Sequence, residues 1–282
     1  MASDQDKIES IISTGSEMAG AATGGVLGFF LGGPAGAAAG GAVGVAISKS
    51  TSKVLTDVAN RLLSHREQVR IGAVTTLAIE KIKGKLDVGK KPRNDGFFQT
   101  RKNASRPDAE EVFEGVLLKS KNEHEEKKVK IFANVFASIA FAPDVKVGEA
   151  NHILQTIENL TYRQICLLSL FHQKPKMQDV VLQEDDYSEF QGFIPYETIS
   201  TLQEIYQLYN LGLVGCRLVP SGVQASPAGH FKALLGWDNV EPQKMELTSL
   251  GKRYYALMDL DEIPHTDLEE VFISLASLVP RT

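Results

Sequence analysis

The chain has 282 residues, 43% of them apolar, which is enough for two compact units that each bury a core. Cys166 and Cys216 are its only cysteines, so the sequence argues against a disulfide framework or a zinc site and predicts two buried thiols. The net charge of −5 is unevenly distributed, with 14 Lys/Arg against 5 Asp/Glu over residues 49–106 and 9 against 17 over residues 150–282. A basic block therefore precedes an acidic C-terminal part.

An uncharged run extends from Met18 to Ser48. Within it glycine recurs at a strict four-residue spacing, at Gly20, Gly24, Gly28, Gly32, Gly36, Gly40 and Gly44. Small residues at i and i+4 let helix backbones approach closely, which is how helices associate in lipid. In water each such glycine costs a helix about 1 kcal/mol relative to alanine. The pattern therefore predicts a membrane-embedded glycine zipper through which copies form a homo-oligomer.

The geometry of this run leaves its path through lipid open. One continuous helix would be roughly 46 Å long, which exceeds the ~30 Å hydrocarbon core. Gly33 and Pro34 are predicted to break it into two arms, over about 18–31 and 35–48. A re-entrant hairpin, a thinned bilayer, or one kinked and tilted span all fit. The alternative is a Gly/Ala-rich helical pair inside a soluble protein, or a flexible arm.

The basic block that follows sets the predicted orientation. The residues before the uncharged run are acidic, which argues against a secretory signal peptide. The positive-inside rule then places residues 49–282 in the cytoplasm and the run in a bacterial inner membrane. Apolar residues at helical spacing over 54–82 predict an amphipathic helix, which either packs on the next helices or lies on anionic lipid. The predicted inner-leaflet contacts are Lys49, Lys53, Arg61, Arg66 and Arg70.

The middle of the chain is predicted to be helical. Residues 87–107 are rich in glycine, proline and asparagine and predict a loop, in which Phe97 and Phe98 anchor it to a core or contact a partner. Helices are predicted at about 108–119 and 123–142. The acidic run at 123–126 lacks the second histidine of an HExxH motif, so it predicts a solvated helix start and not a metal site.

The C-terminal part alternates helices with short strands. Thr161 is a predicted N-cap, Gly212 a predicted helix end, and the acidic residues between 174 and 196 a solvated loop. This order of elements is typical of a winged-helix-like domain. The predicted helices span about 162–172, 197–211, 249–258 and 266–278, and the predicted strands span 214–219 and 245–247, on either side of a connection over 220–242.

The helix at 197–211 occupies the position that reads DNA in winged-helix proteins. It presents no lysine or arginine, and its polar side chains are Ser200, Thr201, Gln203, Glu204, Gln207 and Asn210. Phosphate contacts supply much of the affinity for nucleic acid and require basic side chains. The sequence therefore disfavours nucleic acid and predicts that this domain contacts a protein.

Several short motifs carry a resemblance to a known family. They are the run 132–138 (FANVFAS), the segment 151–154 (NHIL) leading to 159–161 (NLT), the helix end 211–214 (LGLV) and the segment 247–251 (LTSLG). On these motifs residues 108–258 resemble the Abi-alpha family, which is associated with bacterial abortive infection. The resemblance implies a role in antiphage defence and supplies no catalytic residues.

Taken together, the sequence predicts a mainly α-helical protein in three parts. These are a glycine-zipper helix or helical hairpin over 1–48, a helical body over 49–148 and a winged-helix-like α+β domain over 149–282. No nucleophile motif, phosphate-binding loop or metal-ligand spacing occurs, so we expect a protein that is not an enzyme and holds no cofactor or metal. Two hypotheses follow: a membrane-perturbing effector of antiphage defence, or a membrane-tethered adaptor that binds a protein.

Overall fold

The computed structural model describes residues 64–102, 104–177, 181–217 and 231–276. Across these residues the chain is mainly helical, with eight α-helices and a three-stranded antiparallel sheet near the C-terminus. The chain divides between Asn159 and Leu160 into two compact units, here the N-terminal and C-terminal units. The glycine-zipper prediction falls on residues outside those described. Of the helices that are described, none is both long and apolar enough to cross a membrane.

Four helices form the described part of the N-terminal unit. They are α1 (His65–Asp87), α2 (Asp108–Asn122), α3 (Lys127–Ile139) and α4 (Val147–Asn159). Helix α1 packs mainly on α3 and also on α2, and α4 packs on α2 and α3. All residues of α3 except Lys127 and Lys130 are buried. The helix is therefore enclosed by the rest of the unit, and its apolar residues form much of the core.

The predicted amphipathic helix is confirmed from His65 onward. It begins with a capping box, in which Ser64 N–H donates to Glu67 and Glu67 N–H donates to the Ser64 hydroxyl. The predicted helices of the middle region are also confirmed, with α3 beginning four residues later than expected. The sequence analysis did not delimit α4.

The loop between α1 and α2 is held by buried side chains. Phe97 and Phe98 are 1% and 7% exposed, which confirms the prediction that they anchor the loop. Arg93 is buried beside them, and all three nitrogens of its guanidinium donate hydrogen bonds. It donates two hydrogen bonds to Asp95, at 2.9 and 2.6 Å, and further bonds to backbone carbonyls, including that of Val145 at 2.9 Å. The loop is therefore an ordered part of the N-terminal core.

The described part of the C-terminal unit combines four α-helices and three strands, whose order matches most of the sequence prediction. Its elements are α5 (Tyr162–Gln173), α6 (Tyr196–Asn210), β1 (Val214–Arg217), β2 (Phe231–Lys232), β3 (Met245–Leu247), α7 (Ser249–Met258) and α8 (His265–Leu275). The strand order is β2-β1-β3 with both pairings antiparallel, and Cys216 faces Lys232 on one side and Met245 on the other. Strand β2 was missed, because the sequence assigned it to the 220–242 connection.

Local signals fix the ends of these elements. The predicted Thr161 cap is confirmed, since its hydroxyl accepts the Gln164 N–H at 3.1 Å. Gly212 has a φ of +71°, a left-handed conformation that favours glycine, and it ends α6 as predicted. Cys166 and Cys216 are both buried free thiols, as predicted.

Candidate protein-interaction surface

Most of the predicted membrane residues lie outside the described part of the chain. They are Gly20, Gly24, Gly28, Gly32, Gly33, Pro34, Gly36, Gly40, Gly44, Lys49, Lys53 and Arg61. Of the two that are described, Arg66 is exposed at the start of α1. Arg70 is half-buried and its Nη1 donates to the backbone carbonyl of Lys121 at the end of α2, at 3.1 Å.

The turn between α2 and α3 corrects one prediction. Glu123 is not a solvated helix start but is buried, and its Oε2 lies 2.6 Å from Nζ of Lys128, which is also buried. Its Oε1 accepts the N–H groups of His124 and Glu125 at 2.8 and 2.9 Å. Burial opposes ionisation of Glu123, but Lys128 and these N–H groups outweigh it and hold its pKa below the usual value.

This turn resembles a metal site only in composition. The ligand atoms of Glu123, His124 and Glu125 lie within 4.8 Å of one another. Both oxygens of Glu123 are however already engaged by Lys128 and by backbone N–H groups, and His124 is exposed. The arrangement therefore serves to hold the turn, with an ion pair at its centre.

A cavity of about 330 Å³ lies at the N-terminus of α4, in the N-terminal unit. Its charged lining consists of Arg93, Arg101, Asp108 and Lys146. Arg93 is paired with Asp95, and Arg101 is paired with Asp108. Lys146 Nζ lies 3.9 Å from the same Asp95 carboxylate that Arg93 binds, so two carboxylates compensate most of the charge of the three cations.

Two perturbed groups in the C-terminal unit also have structural roles. The Cys216 thiol lies 3.8 Å from the Glu241 carboxylate, and burial together with that charge raises its pKa to about 11. The thiol therefore stays protonated at neutral pH and is not a nucleophile. Burial lowers the pKa of Lys174 to about 8, and its Nζ donates to the carbonyls of Gln243 and Met245 at 2.5 and 2.6 Å.

Some of the polar side chains that the sequence analysis named on α6 face into the C-terminal unit, and the others face outward. Arg163 of α5 donates to the Ser200 hydroxyl at 2.6 Å and to Glu204 at 2.7 Å. Gln207 accepts a hydrogen bond from a glutamine of α5 at 2.8 Å, and Thr201 is fully buried. These four side chains are engaged within the unit, so they do not form a free recognition surface as the sequence suggested.

The outward side of α6 is a different set of residues. Tyr196, Ile199, Gln203, Tyr206 and Asn210 are spaced three or four apart and therefore share one helix face. Each of them is exposed or half-exposed, and none carries a charge. This face is about 21 Å long.

Aromatic and aliphatic side chains extend this face at both ends. Phe193 and Tyr196 are 77% and 83% exposed, and their rings meet edge to face with centroids 6.4 Å apart. At the other end the Tyr206 hydroxyl donates to the backbone carbonyl of Leu235, whose side chain is 87% exposed. We define the α6 outer surface as Phe193, Tyr196, Ile199, Gln203, Tyr206, Asn210 and Leu235.

The chain segment that contributes most of this surface carries only acidic side-chain charges. No lysine or arginine occurs in the sequence between Lys176 and Arg217. Four carboxylates of this segment are exposed and form no ion pair among the described residues, namely Glu184, Asp185, Glu189 and Glu197. The prediction of a solvated acidic loop holds for Glu184, Asp185 and Glu189 but is wrong for Asp186, which pairs with Lys232 at 3.3 Å.

The chain was compared with known protein families, curated proteins and solved structures. No family model, no curated protein and no solved structure matches the chain. Of the α6 outer surface, the sequence analysis named only Gln203 and Asn210 and missed the aromatic and aliphatic side chains. The available signal was the recurrence of Tyr196, Ile199 and Tyr206 at helical spacing beside Phe193.

Proposed function

We propose that this chain is a membrane-associated effector of bacterial antiphage defence, which self-associates through its glycine stripe and perturbs the inner membrane. The observation that carries the proposal is the uncharged run from Met18 to Ser48, with seven glycines at four-residue spacing. A groove of small residues is a means of packing helices in lipid. The defence role is what the resemblance to the Abi-alpha family implies.

The rest of the chain supports a membrane position in this proposal. Lys49, Lys53 and Arg61 directly follow the uncharged run, where each cation near an anionic leaflet contributes about 1 kcal/mol of attraction. Residues 49–282 then lie on the cytoplasmic side. The proposed active form is a homo-oligomer that assembles through the glycine stripe.

For the C-terminal unit we infer a winged-helix-like domain. Helices α5 and α6 precede strand β1, and β1 forms a hairpin with β2 before β3 returns on its other side. That order supports the inference. The absence of lysine and arginine from α6 favours a protein as the partner of this domain over nucleic acid.

Leucine substitutions in the glycine stripe test the proposed function. Gly28→Leu and Gly36→Leu fill the groove, so both variants should lose self-association and toxicity when produced in bacteria. Ala38→Leu adds the same side chain away from the stripe and is the matched control. Crosslinking in membranes measures self-association, and colony counts measure toxicity. Unchanged toxicity and unchanged crosslinking in both glycine variants would contradict the proposal.

A second candidate function is a membrane-tethered adaptor that binds a protein without affecting the membrane. The exposed aromatic pair Phe193 and Tyr196 favours it, because such a surface is typical of protein contact. Production of residues 49–282 alone discriminates between the two candidates. If that fragment reproduces the phenotype of the full chain, the glycine stripe only localises the protein and the adaptor is the better account.

A further inference from the structure

The α6 outer surface has the chemistry of a binding site for protein. Phe193 and Tyr196 together expose two large rings, whereas aromatic residues in monomeric proteins are mostly buried. Aromatic side chains dominate the energetics of protein interfaces. The surface is also ordered, because α6 is fixed on its other side by the hydrogen bonds from Arg163 to Ser200 and Glu204.

The surrounding charge selects among the classes of partner. An anionic bilayer or nucleic acid would be repelled by the exposed carboxylates of Glu184, Asp185, Glu189 and Glu197. A second copy of the C-terminal unit would bring like charges together, since residues 150–282 carry 17 acidic against 9 basic side chains. A positively charged polypeptide avoids both penalties.

We propose that the α6 outer surface binds a basic amphipathic helix of a partner protein. Apolar side chains of that helix pack on Phe193, Tyr196 and Leu235, and its lysines or arginines pair with exposed carboxylates of the same segment, of which Glu189 and Glu197 lie nearest in sequence to Phe193 and Tyr196. The face is about 21 Å long, which accommodates roughly four helical turns. The inference rests on the proposed protein-binding role of the C-terminal unit and is independent of the membrane step.

The single tryptophan of the chain provides the readout. Trp237 is half-exposed in a short 3₁₀ turn, Trp237–Asn239, that packs against α6. The probe is a synthetic helical peptide with leucines on one face and lysines on the other. It is titrated against the full chain in zwitterionic nanodiscs, with tryptophan emission as the signal. A peptide with glutamates in place of the lysines is the matched probe.

The expected result is saturable binding of the lysine peptide that weakens as salt rises from about 0.05 to 0.5 M. The Phe193→Ser, Tyr196→Ser double variant should bind at least about tenfold more weakly. Because both residues are exposed, the variant should keep the wild-type circular dichroism and melting temperature. Val88→Ser, which alters a residue 73% exposed in the N-terminal unit, should bind as the wild type does.

Four results would overturn the inference. Equal affinity for the lysine and glutamate peptides would contradict the role of charge. Equal affinity of the wild type and the double variant for the lysine peptide would contradict the role of Phe193 and Tyr196. Anionic vesicles that change the Trp237 signal only when Phe193 and Tyr196 are present would make the surface a lipid contact. A change in oligomer size in the double variant would make it a contact between copies. Loss of peptide binding leaves membrane depolarisation unaffected, so the two proposals fail separately.

Discussion

Replacing Lys128 by methionine should lower the free energy of unfolding of the N-terminal unit by about 3–5 kcal/mol, because it leaves Glu123 buried without its cation. The two charged groups are 2.6 Å apart, and their side chains are only 2% and 4% exposed. Lys128 also donates to the backbone carbonyl of Glu158, 3.1 Å away near the C-terminus of α4. One substitution therefore removes both a buried ion pair and a hydrogen bond between α3 and α4.

Urea unfolding followed by circular dichroism measures this loss. The exposed Lys127, which precedes Lys128 on α3, gives the matched control, and Lys127→Met should change the stability by less than about 0.5 kcal/mol. The Glu123→Gln, Lys128→Met double variant should recover part of the loss, since it buries no uncompensated charge. Equal stability of the Lys128→Met variant and the control would contradict the assignment of this pair.

The same pair should make the N-terminal unit sensitive to acid. The pKa of Glu123 is lower in the folded protein than its ordinary value of 4.5. Its stabilising contribution is therefore complete above pH 4.5 and is lost as the pH falls through the folded-state pKa. Stability measured against pH should fall less steeply below 4.5 in Glu123→Gln than in the wild type.

Replacing Gly251 by alanine should have the largest effect in the C-terminal unit. A Cβ atom at this position would lie 1.9 Å from the backbone carbonyl oxygen of Leu213, so the first turn of α7 would have to move away from the turn that leads into β1. That contact is part of the local structure, because the same carbonyl accepts the Thr248 N–H at 3.1 Å. We expect a loss of about 3 kcal/mol or more, since neither backbone segment yields as a flexible side chain would.

Gly84 in α1 is the control for the substitution itself. A Cβ there meets nothing within 4 Å, so Gly84→Ala should leave the stability unchanged or raise it by up to about 1 kcal/mol. Thermal unfolding of both variants measures the contrast. A Gly251→Ala variant with the melting temperature of the wild type would contradict this close contact between α7 and Leu213.

The helices of this chain were predictable because their signals are local. The capping box at Ser64, the cap at Thr161 and the left-handed Gly212 each act within one turn of their own position. The apolar periodicity of α3 likewise lies within one segment. The type and approximate bounds of most helices therefore followed from the sequence, with α4 as the exception.

The errors arose where a side chain's role depends on distant residues. Glu123 lies in a run of polar residues, and its burial depends on how α3 and α4 surround Lys128. The two residues of β2 carry too little pattern to predict a strand without knowledge of β1. The division of α6 into engaged and outward side chains depends on Arg163, which belongs to another helix.

The α6 outer surface illustrates the same limit for function. Polar side chains on this helix suggested a recognition face, but packing against α5 engages Ser200, Glu204 and Gln207. The exposed aromatic pair Phe193 and Tyr196 would ordinarily be assigned to a core from sequence alone. Only the three-dimensional arrangement distinguishes the side chains that are engaged within the unit from those that face outward.

The most direct test of the proposed function is membrane potential, measured with a voltage-sensitive dye in bacteria that produce the full chain or its Gly28→Leu variant at equal levels. The account predicts depolarisation and dye entry with the wild type and intact membranes with the variant, while both proteins remain in the membrane fraction. Intact membranes with both proteins would contradict the effector proposal. Equal depolarisation by both would contradict the role of the glycine stripe.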